Sequence, residues 1–121
     1  MNRLLVIAGS LLYTFLFFLS VLVFGFFVLL PHPIMNEKNR WRIMGAFARS
    51  NICMCRALCG LDYAVIGLKN IPEKPCIVFL KHSSVYELFF ALSFFQPASF
   101  VAKYELMFIP VVRGVIKALK C

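Results

Sequence analysis

Residues 4–30 form a run of 27 residues without a single charge, rich in Leu and Phe. A helix of that length spans about 40 Å at 1.5 Å per residue, whereas a bilayer hydrocarbon core is about 30 Å thick. The run is therefore long enough to cross with tilt or to continue past one interface. Gly9 and Gly25 are its weak helix formers, and Pro31-His32-Pro33 ends it. A cleaved secretory leader fits poorly. Its apolar region would be about 7–15 residues followed by a small-x-small site, and Phe24-Gly25-Phe26-Phe27-Val28 is no such site. A retained membrane anchor over residues 1–31 is expected, with a re-entrant hairpin entering one leaflet left open.

Charge is distributed accordingly. Among 121 residues there are 13 Lys and Arg against 5 Asp and Glu, for a net +8, and 62% of residues are hydrophobic. Arg3 is the one charged residue in the head, and all other charges follow residue 36. That hydrophobic fraction exceeds the roughly 45–50% of an average soluble chain and excludes disorder. Nucleic-acid binding would explain the positive sign but not the apolar head, so no nucleic-acid partner is expected. Arg3 stands against Lys38, Arg40, Arg42, Arg49 and Arg56, so the positive-inside rule places the body on the cytoplasmic side.

Residues 36–60 are expected to form an amphipathic interfacial helix. Asn36 is a plausible N-cap, Glu37 suits the first turn and Gly60 the stop. Arg42, Arg49 and Arg56 recur every seven residues and share a face. Ile43, Phe47, Met54 and Leu58 line another, with Trp41 as an interfacial anchor. The basic face suits either contact with anionic headgroups or simple solvation. Of the five cysteines, Cys53, Cys55 and Cys59 fall within this helix and cannot all point one way. Without a neighbouring His no metal site is expected. Reduced packing thiols are the better reading than palmitoylation sites.

Residues 61–121 alternate. Residues 63–67 and 76–80 have strand composition, the latter a continuous apolar run suited to a strand covered on both faces. A helix capped by Ser83 or Ser84 should run over 85–95, with Leu88, Leu92 and Phe95 on one stripe. A third strand is expected at 99–102, and a helical stretch from Glu105 with Pro110 inside it. The order predicts an α/β layer fold.

His82 directly follows the apolar run, and Glu87 lies five residues on. On one ideal helix the two would be about 140° apart, so they meet only if His82 precedes the helix. A carboxylate there would fix the imidazole tautomer and leave the other nitrogen as a general base. The plainer alternative is a His at a strand end and a solvated first-turn acid.

The run Lys81-His82-Ser83-Ser84-Val85-Tyr86-Glu87, followed by Phe100-Val101-Ala102-Lys103-Tyr104-Glu105-Leu106-Met107-Phe108-Ile109-Pro110, resembles the 1-acylglycerol-3-phosphate acyltransferase (lysophosphatidate acyltransferase) family. Gly67-Leu68-Lys69-Asn70-Ile71-Pro72 is similar to that family's lead-in to its catalytic strand. The resemblance implies a glycerophospholipid acyltransferase-like α/β core and an enzyme of phospholipid biosynthesis. It would transfer an acyl group from an acyl-CoA or acyl carrier protein thioester to the free hydroxyl of a lysophospholipid such as lysophosphatidate. His82 would be the base, Glu87 its orienting acid, and Ser84 and Lys103 substrate-side residues. The thioester is a co-substrate, and no cofactor is implied. Most family members carry Asp at the Glu87 position; Glu occurs in a subset of bacterial members, and the implied location is the bacterial inner membrane. Arg113 stands where the family usually has Gly. The family's later Arg- and Gly-bearing blocks do not occur before Cys121, so residues 61–121 read as a partial acyltransferase domain in a truncated copy. A non-catalytic membrane-anchored remnant or accessory subunit, binding anionic lipid or a partner, is the alternative.

Overall fold

The structure, a computed structural model, describes residues 3–30, 34–81 and 83–119. They form four α-helices: α1 (Arg3–Leu29), α2 (Glu37–Cys59), α3 (Val85–Phe94) and α4 (Pro110–Ala118). Short 3-10 turns occur at Leu68–Asn70 and Tyr104–Phe108.

Helices α1 and α2 pack antiparallel along most of their lengths. Gly9 near the start of α1 lies against the carbonyl of Leu58 near the end of α2, an approach that any Cβ would obstruct. Midway, Asn51 is completely buried. Its amide donates to the Phe47 carbonyl at 2.9 Å and to the Ser20 hydroxyl at 3.2 Å. Ser20 in turn donates to the Phe17 carbonyl at 2.7 Å. Pairing is obligatory here, because a buried unsatisfied polar group costs about 1–3 kcal/mol. Towards the connection, the rings of Phe24 and Phe47 meet edge-to-face at 5.6 Å, an arrangement that suits the aromatic quadrupole.

Helix α3 lies over this hairpin through Phe89, whose ring stands 6.1 Å from Phe17 and 5.8 Å from Phe47. Helix α4 closes the other end. Gly25 of α1 admits Val111, and Gly114 of α4 admits Leu29; a Cβ at the first would come within 2.5 Å and at the second within 2.7 Å. Val28, Trp41, Met44, Phe47, Ala48, Ile52, Phe89, Leu92, Ala118 and Leu119 form the resulting core.

The local signals explain these elements. Helix α2 stops at Gly60, whose φ of 66° is left-handed and whose N–H returns to the Arg56 carbonyl, a conformation open to Gly at no steric cost. Asn36 occupies the N-cap position of α2 without a side-chain capping bond. Arg42, Arg49 and Arg56 are all exposed. Trp41, expected as an interfacial anchor, is instead 4% exposed and in the core, 6.4 Å from the ring of Phe100. Helix α3 buries Phe89 and Leu92, so its inward stripe is rotated from the expected Leu88, Leu92 and Phe95. Pro110 begins α4 at the position where its missing N–H costs nothing. It does not lie inside a helix started at Glu105.

The expected α/β fold is not what the structure contains. Among the described residues there is no strand. Residues 63–67, 76–80 and 99–102, expected as strands of a glycerophospholipid acyltransferase-like core, are extended or irregular backbone. Ile66, Ile77, Phe79 and Val101 are almost wholly exposed. A strand is stabilised by a laddered neighbour and by cover on its faces, and these segments pair neither with each other nor with any other described segment. Apolar composition marks a segment that gains by burial; it does not supply the partner that buries it.

Candidate functional site

The expected base, His82, lies outside the described residues. The residues on either side of it are described, and they are organised by the start of α3. Ser84 is the N-cap, in extended conformation, and its hydroxyl accepts from the N–H of Tyr86 at 3.2 Å. Glu87, the third helical residue, turns back so that one carboxylate oxygen, Oε2, accepts two backbone N–H groups. These are Ser83 at 2.9 Å and Ser84 at 2.7 Å. This reciprocal arrangement is a capping box. It satisfies donors that a helix start would otherwise leave open and places a negative charge where the helix dipole favours it.

The Ser-x-x-Glu signal for that box was present in the sequence. Reading Ser84 as a cap and Glu87 as an acid separately missed that the two residues act together. Their joint effect is to hold the Glu87 carboxylate against the backbone of the two residues that follow position 82. The motif acid therefore belongs to the loop, not to a freely swinging first-turn side chain.

Tyr86, between cap and acid, packs into the aromatic cluster of α3. Its ring packs edge-to-face on Phe90 at 5.1 Å, and Phe90 in turn meets Tyr63 at 4.6 Å. Its hydroxyl is buried without a hydrogen-bond partner among the described residues. Burial first, and then the neighbouring Cys55, Tyr63 and Asp62, push its phenol above the ordinary value. Burial likewise raises the Cys55 thiol, which disfavours the reactive thiolate. Cys53 is exposed and Cys59 half-buried, so the three helical cysteines do diverge.

Lys103 is exposed at the N-cap of the turn Tyr104–Phe108. Its ammonium lies 3.8 Å from Glu105, a neighbour on the same turn, so this ion pair does not join it to Ser84 or Glu87. An open depression of about 380 Å³ precedes the motif, with Gly67, Ile71, Pro72, Ile77 and Phe79 among its lining residues. It is mostly apolar and joins residues of the 67–72 segment to residues of the 76–80 run and to Phe95. Among the described residues no group of three or more His, Cys, Asp or Glu side chains is placed to hold a metal ion.

The chain is 38% identical over 112 residues to a 1-acyl-sn-glycerol-3-phosphate acyltransferase of Pseudomonas aeruginosa, a match that takes in 88% of this chain and 44% of that protein. The chain thus spans less than half the length of this curated relative. No family model and no solved structure matches it. The resemblance first carried by two short motifs accordingly extends over most of the sequence.

Proposed function

We infer that this chain, related along most of its length to a 1-acyl-sn-glycerol-3-phosphate acyltransferase, serves acyl transfer in membrane lipid synthesis. The relation over most of this chain is the observation that carries this reading. The loop geometry at Ser83, Ser84 and Glu87 supports it. In the proposed reaction His82 accepts the proton of a lysophospholipid hydroxyl, and the oxygen attacks the thioester carbonyl of an acyl-CoA or acyl carrier protein. The tetrahedral intermediate then expels the thiolate. The proton passes from the imidazolium to that sulfur, leaving an ester and a free thiol. Glu87 orients the imidazole and stabilises its charged form. Ser84 caps the turn that holds Glu87, and Lys103 serves the substrate from the second motif.

The membrane is met through α1. It is the one described helix long and apolar enough to cross a bilayer. Leu4, Leu11, Phe15, Phe18, Leu22 and Phe26 are exposed on its outer side. Yet α2 runs beside it from Phe24 down to Gly9 with Arg42, Arg49 and Arg56 outward. Were α1 to cross, Arg49 and Arg56 would sit at hydrocarbon depth, where a charge costs about 2.5–3.5 kcal/mol even on insertion scales. A hairpin lying in one leaflet avoids this cost: α1 faces the acyl chains and the arginines of α2 face the headgroups on the cytoplasmic side.

The test is transfer of a labelled acyl group to lysophosphatidate by membranes of an acyltransferase-deficient strain that express this chain. His82→Ala should lower any transfer by about 10²–10⁴-fold, the usual contribution of a positioned base. Transfer that is unchanged in His82→Ala, or absent from the unsubstituted chain, would remove the enzymatic reading and leave a non-catalytic membrane protein.

A further inference from the structure

Helix α4 has two unlike faces. Val111 and Val115 pack against Gly25, Leu29 is seated on Gly114, and Ala118 and Leu119 enter the core. On the other side Arg113 and Lys117, one turn apart, are exposed. With Met107, Phe108, Pro110 and Gly114 they line a second open concavity of about 380 Å³. Its floor is apolar and its two charges are both positive. Among the described residues that line it none is acidic. The turn leading in exposes two aromatic rings, Tyr104 and Phe108, in edge-to-face contact at 5.6 Å.

We propose that this concavity holds the phosphate headgroup of an anionic bilayer phospholipid. Charge is the first argument. Arg113 offers a planar fork that matches phosphate oxygens, and Lys117 a point charge beside it. The apolar floor is the second, because Met107 and Phe108 can cover the first methylenes of the acyl chains while the cations stay at headgroup level. Aromatic side chains beside cations are the composition favoured at a membrane surface. Continuity is the third. Helix α4 is fixed on the last turns of α1, where Leu22, Phe26 and Phe27 are exposed. The cationic face is thus carried by the same element that meets the membrane. The proposal rests on the membrane placement of α1 given above, but not on acyl transfer. Its occupant is a resident lipid, distinct from the lysophospholipid acceptor.

The full chain would be reconstituted in phosphatidylcholine vesicles with and without phosphatidylglycerol, each doped with a photoactivatable analogue of one of the two lipids. Phosphatidylglycerol should be captured several-fold more than phosphatidylcholine, with adducts mapping to residues 104–117. Joint Arg113→Gln and Lys117→Gln substitution should reduce that capture to the phosphatidylcholine level. Lys69→Gln with Lys74→Gln, which removes the same charge from an exposed connection, should leave it unchanged. Equal capture of both lipids, adducts elsewhere, or an equal loss in the Lys69 and Lys74 variant would overturn the proposal. So would capture of a photoactivatable lysophosphatidate in place of phosphatidylglycerol, or failure of the chain to stay with the vesicles. Acyl transfer is read separately on the same samples. Its absence with selective capture intact counts against the enzymatic reading alone.

Discussion

Helix α2 and the stretch over residues 61–81 are of similar length and adjacent in sequence, yet they meet opposite fates. In α2, Trp41, Met44, Phe47, Ala48, Asn51, Ile52 and Cys55 are buried. In 61–81 every residue is exposed except Gly67 and Ile71, which are half-buried. The exposed stretch includes Ile66, Ile77, Val78, Phe79 and Leu80, so lack of apolar character is not the cause. A helix serves its own backbone hydrogen bonds and needs only side-chain cover, which α1 and α3 provide. An extended segment needs both cover and a laddered neighbour. The comparison shows that burial here follows from the availability of partners, not from hydrophobicity.

The strongest way to break the contrast is at its packed end. Phe89→Ala should destabilise the helical unit by about 3–5 kcal/mol, as large-to-small changes of buried aromatics do. The site lies between Phe17 and Phe47, so α3 should detach first. Thermal melting followed by circular dichroism in detergent micelles reads the loss, and a shift no larger than that of a surface control would refute the assigned core. A smaller effect is expected at the boundary between the two regions. Glu87→Ala removes one half of the capping box and should cost about 0.5–2 kcal/mol of helix stability. Glu87→Gln keeps an oxygen acceptor in the same place and should cost less. Amide exchange at Ser83 and Ser84 distinguishes them, rising in Glu87→Ala and little in Glu87→Gln. The smallest effect belongs to the exposed end. Phe79→Ser should change stability by less than about 0.5 kcal/mol, as surface substitutions usually do. A loss comparable to that of Phe89→Ala would mean that residues 76–80 have cover after all.

What was legible in the sequence divides along the same line. The uncharged run marked α1, and Asn36 and Gly60 bracketed α2 to within a residue, because caps and periodicity act over one or two turns. Ser83-Ser84 marked the start of α3 to within a residue for the same reason. The strands at 63–67, 76–80 and 99–102 were read from composition alone, which carries no information on whether a neighbour is present. Trp41 was read as an anchor from its residue type. Its burial depends on elements remote in sequence, such as Phe100, whose ring packs against it. At the site, a serine cap at 83 or 84 was legible, and the Ser-x-x-Glu spacing that singles out Ser84 with Glu87 was available. That Lys103 pairs with Glu105 is a matter of two exposed side chains on one turn, which spacing alone leaves undecided.

The capping box also bears on the order in which the molecule is assembled. Each of its bonds joins residues no more than four apart, so it needs no long-range contact and no loop closure. Helical turns form within about a microsecond, well before a hairpin of 23- and 27-residue helices can find its packing. The carboxylate of the motif is therefore set by local chain chemistry at the earliest stage, and docking of Phe89 later carries a finished turn, not a loose acid, onto α1 and α2.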